Sequence, residues 1–176
     1  MRFVRAATVA LLAALAGAKT TPADTVETLG DIGAIALPVS GLVAAAVHKD
    51  GPGARQLAEA YGAAMAVVLV LKPTIGRQRP DGGGQSFPSG HSASGFAGAA
   101  FLQRRYGWPC GVPAYAVATF VAWSRVDAKR HWTSDVIAGG AIGIASNLLL
   151  TRRYSGVTVL PTAVPGGAGL IVEIRW

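Results

Sequence analysis

The sequence has 176 residues, of which 51% are hydrophobic and 14% are charged, and its mean hydropathy is +0.40. The length fits one domain, and the charged share is well below the roughly 25% of ordinary soluble domains. The formal net charge is +7, but the basic residues form small clusters without interleaved aromatic residues, which argues against nucleic acid as a partner.

The first 18 residues have the pattern of an export signal. Arg2 and Arg5 precede an apolar run that is followed by small residues up to Ala18. A basic end, a short apolar centre and small residues at a cleavage point are typical of a secretory signal peptide. An uncleaved N-terminal membrane anchor is the alternative, although the run is shorter than the roughly 20 residues that a membrane-spanning helix needs. With either reading, the pattern indicates export or membrane insertion.

Residues 19–154 are predicted to form a helical bundle. Five apolar segments follow the leader: Gly30–Val47, Leu57–Leu71, His91–Leu102, Val112–Trp123 and Ser134–Leu150. They are too long for strands, and their many small residues allow helices to approach closely, as in membrane bundles. We therefore predict an all-α, antiparallel bundle of five to six apolar helices, the sixth being the retained leader. Because several segments are shorter than a full span, a compact soluble bundle is the alternative.

The tail, residues 155–176, differs in character. Leu170, Val172, Ile174 and Trp176 alternate with other residues at the period of a strand. A second short apolar run, Val157–Leu160, precedes them across a proline- and glycine-containing stretch. These features predict a short C-terminal β-hairpin with a structural role.

The charges in the loops predict an orientation. If the basic end of the leader is cytoplasmic and each segment crosses a membrane once, one set of connections holds three pairs of basic residues: Lys49 and Arg55, Arg104 and Arg105, and Arg152 and Arg153. Such an excess is typical of the cytoplasmic side. The opposite set holds the motif residues described next. The arginines of the opposite set depart from the charge rule, and a phosphate-binding role explains their presence there. We therefore predict the bacterial cytoplasmic (inner) membrane, with the site facing the periplasm, or the periplasm itself if the protein is soluble.

Three polar motifs interrupt the apolar segments. In the last one, His131 and Asp135 are four residues apart, so on a helix the carboxylate can orient the imidazole by accepting its hydrogen bond. Such a histidine can act as a nucleophile on phosphorus or as a general base. Arg125 stands six residues earlier and offers a planar fork that matches phosphate oxygens. The alternative for the pair alone is a polar helix cap at a membrane boundary.

The other two motifs add groups of the same kind. Ser89 and Gly90 open an apolar helix, where free backbone N–H groups attract an anion. His91 follows directly and enters from a different loop than His131, so two imidazoles can flank one phosphate. Lys72 and Arg79 can neutralise its oxygens. Arg77 is interpreted as a spare charge. The histidines and acids do not form a metal-ligand motif such as H-E-x-x-H, so we expect no metal and no other cofactor.

The three motifs together resemble the signature of the type-2 phosphatidic-acid phosphatase and vanadium haloperoxidase superfamily. They match in order: Lys72 with Arg79–Pro80, then Pro88 to His91, then Ser124–Arg125 with His131 and Asp135. The resemblance implies an α-helical bundle with the site at one end. It implies that Lys72, Arg79, Ser89, Gly90 and Arg125 hold the phosphate. It also implies that His131 forms a phosphohistidine, that Asp135 orients it, and that His91 is the general acid.

These observations predict a metal-independent phosphatase that hydrolyses a lipid or isoprenoid phosphate monoester, or a diphosphate, at the membrane. The alternatives are a soluble periplasmic acid phosphatase for small phosphomonoesters, a vanadate-dependent haloperoxidase, and a membrane protein that binds lipid phosphate without turnover. The sequence distinguishes neither among phosphatidate, phosphatidylglycerol phosphate, undecaprenyl diphosphate, lipid A phosphates and soluble esters, nor among oligomeric states.

Overall fold

The described part of the chain contains five helices followed by two paired strands. The computed structural model describes residues 22–154, 156–164 and 167–175. The helices are α1 (Pro22–Val47), α2 (Gly51–Ile75), α3 (Gly90–Tyr106), α4 (Trp108–Asp127) and α5 (Thr133–Leu150). Strands β1 (Gly156–Val164) and β2 (Gly167–Arg175) pair antiparallel, with Gly156 opposite Arg175 and Val164 opposite Gly167. The predicted leader, residues 1–18, and Trp176 lie outside the described residues.

The predicted helical class is confirmed, and each of the five predicted apolar segments lies inside one helix. The helices are longer than those segments because capping residues define their ends. The Asp50 side chain accepts a hydrogen bond from the backbone N–H of Gly53 at 2.9 Å and starts α2. Gly76, with φ of +60°, ends α2 in the left-handed conformation that glycine adopts without strain. Ser89 caps α3 by accepting from the N–H of Ser92.

Many large apolar side chains face outward, and most of the buried apolar residues are alanines. Ala60, Ala97 and Ala118 are fully buried, whereas Leu69 is 68% exposed and Leu149 is 84% exposed. This arrangement is the reverse of a soluble domain and is expected where lipid surrounds the helices. Within residues 22–154, three helical stretches are long and apolar enough to cross a membrane by length and composition: Asp24–Val47, Gly51–Ile75 and Thr133–Leu150.

Helix α3 lies at the centre of the bundle and contacts the other four helices. Its residue Phe101 is fully buried and belongs to an apolar cluster with Leu37 and Leu57. Helices α3 and α5 lie even closer to each other, because Gly143 of α5 is in contact with the backbone of α3. A Cβ atom added at Gly143 would be 2.4 Å from the carbonyl oxygen of Ala93. The two helices are thus in backbone contact, as small residues permit in membrane bundles.

Side-chain contacts identify which helix ends lie together. At one end, the side chains of Arg125 and Asp31 connect the C-terminus of α4 with α1, and Asp135 of α5 is bonded to Ser86 of the loop before α3. At the other end, Arg105 of α3 is bonded to Asp50 and to the backbone after α5. The loops that carry the sequence motifs therefore meet at a single end of the bundle.

The close contact of α3 and α5 leads to a prediction for two glycines. Gly143→Ala places a methyl group against the backbone of α3, and we expect a loss of about 1–3 kcal/mol from overpacking. Gly62→Ala is the matched control, because a Cβ there meets nothing within 4 Å in the middle of α2. That control is expected to gain about 0.5–1 kcal/mol from helix propensity. Thermal unfolding in detergent measures both, and equal midpoints for the two variants would contradict the contact.

Candidate active site

A cavity of about 340 Å³ opens at the end of the bundle where the motif loops meet. It is lined by Ala34, Ile35, Tyr61, Met65, Lys72, Arg79, Gly90, His91, Ser94 and His131. Five of the eight predicted site residues are in this set, and they come from all three sequence motifs. Two cationic side chains and two imidazoles therefore face one space, and apolar side chains of α1 and α2 also line it.

The other three predicted residues, Ser89, Arg125 and Asp135, are buried behind the cavity wall. Ser89 and Asp135 are fully buried, and Arg125 is 2% exposed. The Ser89 N–H donates to the backbone carbonyl of Asp135 at 3.0 Å, which ties the start of α3 to the start of α5. These residues support the cavity from behind and do not line it.

The predicted hydrogen bond between His131 and Asp135 is not formed. The Nδ1 atom of His131 lies 3.8 Å from Oδ2 of Asp135. That nitrogen is buried and has no hydrogen-bond partner in the part of the chain that the structure describes. The separation of four residues does bring the two groups together, but the carboxylate is occupied by other donors.

Three donors hold the Asp135 carboxylate. The hydroxyl of Ser86 donates to Oδ2, the backbone N–H of Trp132 donates to the same oxygen at 2.8 Å, and Nη1 of Arg77 donates to Oδ1 at 3.0 Å. Arg77 also lies 5.2 Å from the centre of the Trp132 ring. The interpretation of Arg77 as a spare charge is therefore wrong. Ser86 is a residue that sequence reasoning missed, because neither a motif nor a helical spacing relates it to Asp135.

A second carboxylate, on α1, bridges two predicted site residues. Oδ1 of Asp31 accepts from Nη1 of Arg125 at 2.6 Å and lies 3.0 Å from Nε2 of His91. The carbonyl oxygen of Glu27 accepts another hydrogen bond from Arg125. Sequence reasoning missed both acids. Their signal was present, since Glu27 and Asp31 stand four residues apart at the start of a long apolar helix, where acids mark a functional or paired position.

Two cations of the cavity retain unused donors. Nζ of Lys72 makes one hydrogen bond, to the carbonyl oxygen of Gln85 at 3.3 Å. Nε of Arg79 is buried and makes none to any residue in the described ranges. Buried donors are normally satisfied, and cationic donors bind oxyanions most strongly. The cavity thus has the donors for an anion such as phosphate.

The electrostatics of the cavity keep one imidazole neutral. Burial of the ring lowers the pKa of His131 from 6.5 to about 4, and the charges of Lys72 and Arg79 act in the same direction. The backbone of Ser86 and the carboxylate of Asp135 oppose this shift. At neutral pH, His131 therefore has a nitrogen lone pair available, as a nucleophile requires.

The chain is similar to phosphatases of lipid A. It is 41% identical over 99 residues to the lipid A 1-phosphatase of Porphyromonas gingivalis, covering 52% of this chain and 22% of that protein. It is 29% identical over 140 residues to the lipid A 4'-phosphatase of Helicobacter pylori, covering 73% of this chain and 70% of that protein. The chain thus spans less than a quarter of the first of these relatives.

A solved structure has the same fold. The crystal structure of the first transmembrane PAP2 type phosphatidylglycerolphosphate phosphatase from Bacillus subtilis aligns with a TM-score of 0.59 and 25% identity, and 85% of each chain is covered. The family model of the PAP2 superfamily matches residues 81–158. These comparisons support the type-2 phosphatidic acid phosphatase superfamily as the family of this chain. The transmembrane relative and the three apolar helices together support a membrane protein.

The electrostatic environment of His131 leads to a prediction that NMR can check. In detergent-solubilised protein labelled on histidine, we expect the ring resonances of His131 to stay those of a neutral imidazole from pH 8 down to about 5, since its pKa is about 4. Comparison with His131→Asn assigns the signal. Titration of His131 close to pH 6.5 would show that the ring is solvated and that the cationic cavity is not formed.

Proposed function

We propose that the protein is a metal-independent phosphatase that hydrolyses a lipid or isoprenoid phosphate monoester, or a diphosphate, through a phosphohistidine on His131. One observation carries the proposal: Lys72, Arg79, His91 and His131 line the same cavity. Binding a phosphate requires only the cations. The two imidazoles add a nucleophile and a proton donor, which hydrolysis requires.

In the first step, the phosphate occupies the cavity between Lys72, Arg79 and the N-terminal N–H of Gly90. Nδ1 of His131 faces Asp135 and carries the proton, so Nε2 attacks phosphorus. The bond from phosphorus to the ester oxygen breaks, and protonated His91 donates its proton to that oxygen. Lys72 and Arg79 stabilise the charge that develops on the phosphate oxygens.

In the second step, water attacks the phosphohistidine. His91, now neutral, accepts the proton of the water as the bond between Nε2 and phosphorus breaks. Inorganic phosphate leaves, and His131 is again neutral. Asp135 contributes to both reaction steps by its fixed position beside the His131 ring. Hydrogen bonds from Ser86, Trp132 and Arg77 hold its carboxylate there.

Ser89 and Arg125 do not line the cavity, but they support the residues that do. Ser89 fixes the start of α3 and thus the direction of the Gly90 N–H. Arg125 brings a positive charge behind His91 and holds Asp31 in contact with the imidazole. In this proposal both residues serve phosphate binding, as the family signature implies.

Two observations support a lipid substrate over a small soluble ester. The cavity wall formed by Ala34, Ile35 and Met65 is apolar, and the exposed leucines and valines of the helices suit lipid better than water. The relatives with lipid A phosphatase names point the same way. We also propose that the site faces the periplasm, since the basic loops predicted to be cytoplasmic lie at the opposite end of the bundle.

The proposal predicts that His131→Ala lowers kcat by a factor on the order of 10⁴ or more, because the nucleophile is lost. The assay is phosphate release from detergent-solubilised protein with phosphatidate, phosphatidylglycerol phosphate, undecaprenyl diphosphate, lipid A and a soluble aryl phosphate. Lys129→Gln, in the same loop but outside the cavity, is the control and should keep full activity.

A labelling experiment tests the intermediate itself. With a substrate labelled on phosphorus, rapid quenching in base should trap an acid-labile, base-stable label on the wild type and none on His131→Ala. Activity of His131→Ala equal to that of Lys129→Gln would exclude the mechanism. Label that persists in His131→Ala would move the nucleophile to another residue.

The contact of Asp31 with His91 leads to a separate prediction. Burial and the charge of Arg125 lower the pKa of His91, and the carboxylate of Asp31, 3.0 Å from Nε2, opposes this shift. Asp31 therefore favours the protonated imidazole, which is the form that donates a proton. We expect Asp31→Asn to move the basic limb of the kcat profile to lower pH by about one pH unit. Asp127→Asn, an exposed acid of α4, is the control. An unchanged basic limb in Asp31→Asn would show that Asp31 does not act on the proton donor.

A further inference from the structure

The end of the bundle opposite the candidate active site has a second concentration of charge. Five cationic residues lie there, on the loop after α1, at the end of α3 and after α5: Lys49, Arg104, Arg105, Arg152 and Arg153. They line two neighbouring cavities of about 390 and 510 Å³ that share Arg105, Arg153 and Tyr154. Among the described residues that line the two cavities, Asp50 carries the single carboxylate.

That carboxylate is already fully used. Its oxygens accept from Nε and Nη2 of Arg105 at 2.7 and 2.5 Å, from the hydroxyl of Tyr106 at 2.9 Å and from the N–H of Gly53 at 2.9 Å. With Arg105 itself only 8% exposed, this pair forms a fixed floor. Asp50 therefore has no remaining capacity to neutralise the outer cations.

The pair of Arg105 and Asp50 also fixes the position of the backbone that carries Arg152 and Arg153. Nη1 of Arg105 donates to the backbone carbonyls of Arg152 and Arg153 at 2.9 and 3.0 Å, and its guanidinium lies 5.3 Å from the centre of the Tyr154 ring. The backbone of this segment is thus held over a buried arginine. The exposed side chains of Lys49, Arg152 and Arg153 make no hydrogen bond or ion pair to any residue in the described ranges.

A ligand that fits these two cavities combines an anionic group with apolar chains. Stretches able to cross a membrane begin or end beside the cavities, at Val47, Gly51 and Leu150. Next to them, Trp108 is 61% exposed and Leu149 is 84% exposed. Basic pockets between the ends of membrane helices bind anionic headgroups, while aromatic and apolar side chains contact the interface and the acyl chains.

We propose that this basic pocket, defined by Lys49, Arg105, Arg152 and Arg153, binds the phosphodiester headgroup of an anionic phospholipid in the leaflet opposite the candidate active site. Lys49 and Arg153 contact the phosphate, and Arg105 holds the backbone that presents them. The inference is independent of the proposed phosphatase activity, since none of its residues lines the catalytic cavity. A phosphodiester lipid also lacks the monoester that the proposed reaction consumes.

The test uses the full chain in detergent and native mass spectrometry, with titrations of phosphatidylglycerol, phosphatidylcholine and inorganic phosphate. The double variant Lys49→Gln/Arg153→Gln should bind phosphatidylglycerol roughly 25-fold more weakly, from a factor of about five for each cation near a headgroup. Arg55→Gln/Lys129→Gln is the matched control with the same change of net charge, and it should lose less than about threefold. Phosphatidylcholine should bind both variants and the wild type equally.

The charge-preserving variant Lys49→Arg/Arg153→Lys guards against loss by misfolding and should keep its affinity for phosphatidylglycerol. Equal losses in the two neutralised variants would overturn the proposal in favour of diffuse attraction. Inorganic phosphate that displaces phosphatidylglycerol, and whose own binding is weakened by Lys49→Gln/Arg153→Gln, would also overturn it, in favour of a soluble anion.

Discussion

The backbone contact between α3 and α5 is the constraint on which the candidate site depends. Gly139 lies against the carbonyl oxygen of Ser89, where an added Cβ would be 2.3 Å away, and Gly143 lies against Ala93 in the same manner. The hydrogen bond from the Ser89 N–H to the Asp135 carbonyl completes this contact at the helix starts. Any side chain at these glycines would separate the two N-termini. His91 and His131, which belong to different loops, border one cavity because the helices behind them touch.

Within that frame, Asp135 determines the orientation of the loops. Its carboxylate joins the loop before α3 through Ser86, the loop before α5 through Trp132, and the far side of the α2–α3 connection through Arg77. A buried carboxylate with three donors is well compensated for its burial. Since these three donors occupy the carboxylate of Asp135, it makes no hydrogen bond to His131. Its Oδ2 lies 3.8 Å from Nδ1 of His131.

The helices and the motif residues were predictable from the sequence for simple reasons. Apolar segments such as Ser134–Leu150 exceed the length of a strand, and ordered motifs such as that of His131 and Asp135 have a defined spacing. The contribution of α1 was not predictable, because the contact of Asp31 with Arg125 joins residues 94 positions apart and no periodicity relates them. The partner of Asp135 was missed for the same reason: spacing indicates which residues are near, but competition among donors decides which of them bond.

Each end of the bundle contains an arginine bonded to an aspartate. The two pairs differ in their exposure and in how many of their hydrogen bonds are already made, and this difference indicates a structural role for one pair and a role at the candidate site for the other. The side chain of Asp50 is 2% exposed, and Arg105, Tyr106 and Gly53 saturate its oxygens, so that pair is closed to any further ligand. The side chain of Asp31 is 48% exposed, and its Oδ1 is shared between Arg125 and His91. An exposed carboxylate in this position exchanges partners at little cost, because water replaces the contacts that it loses. Of the two pairs, only the one that contains Asp31 can therefore change partners when an anion binds, and it lies at the end where both imidazoles are.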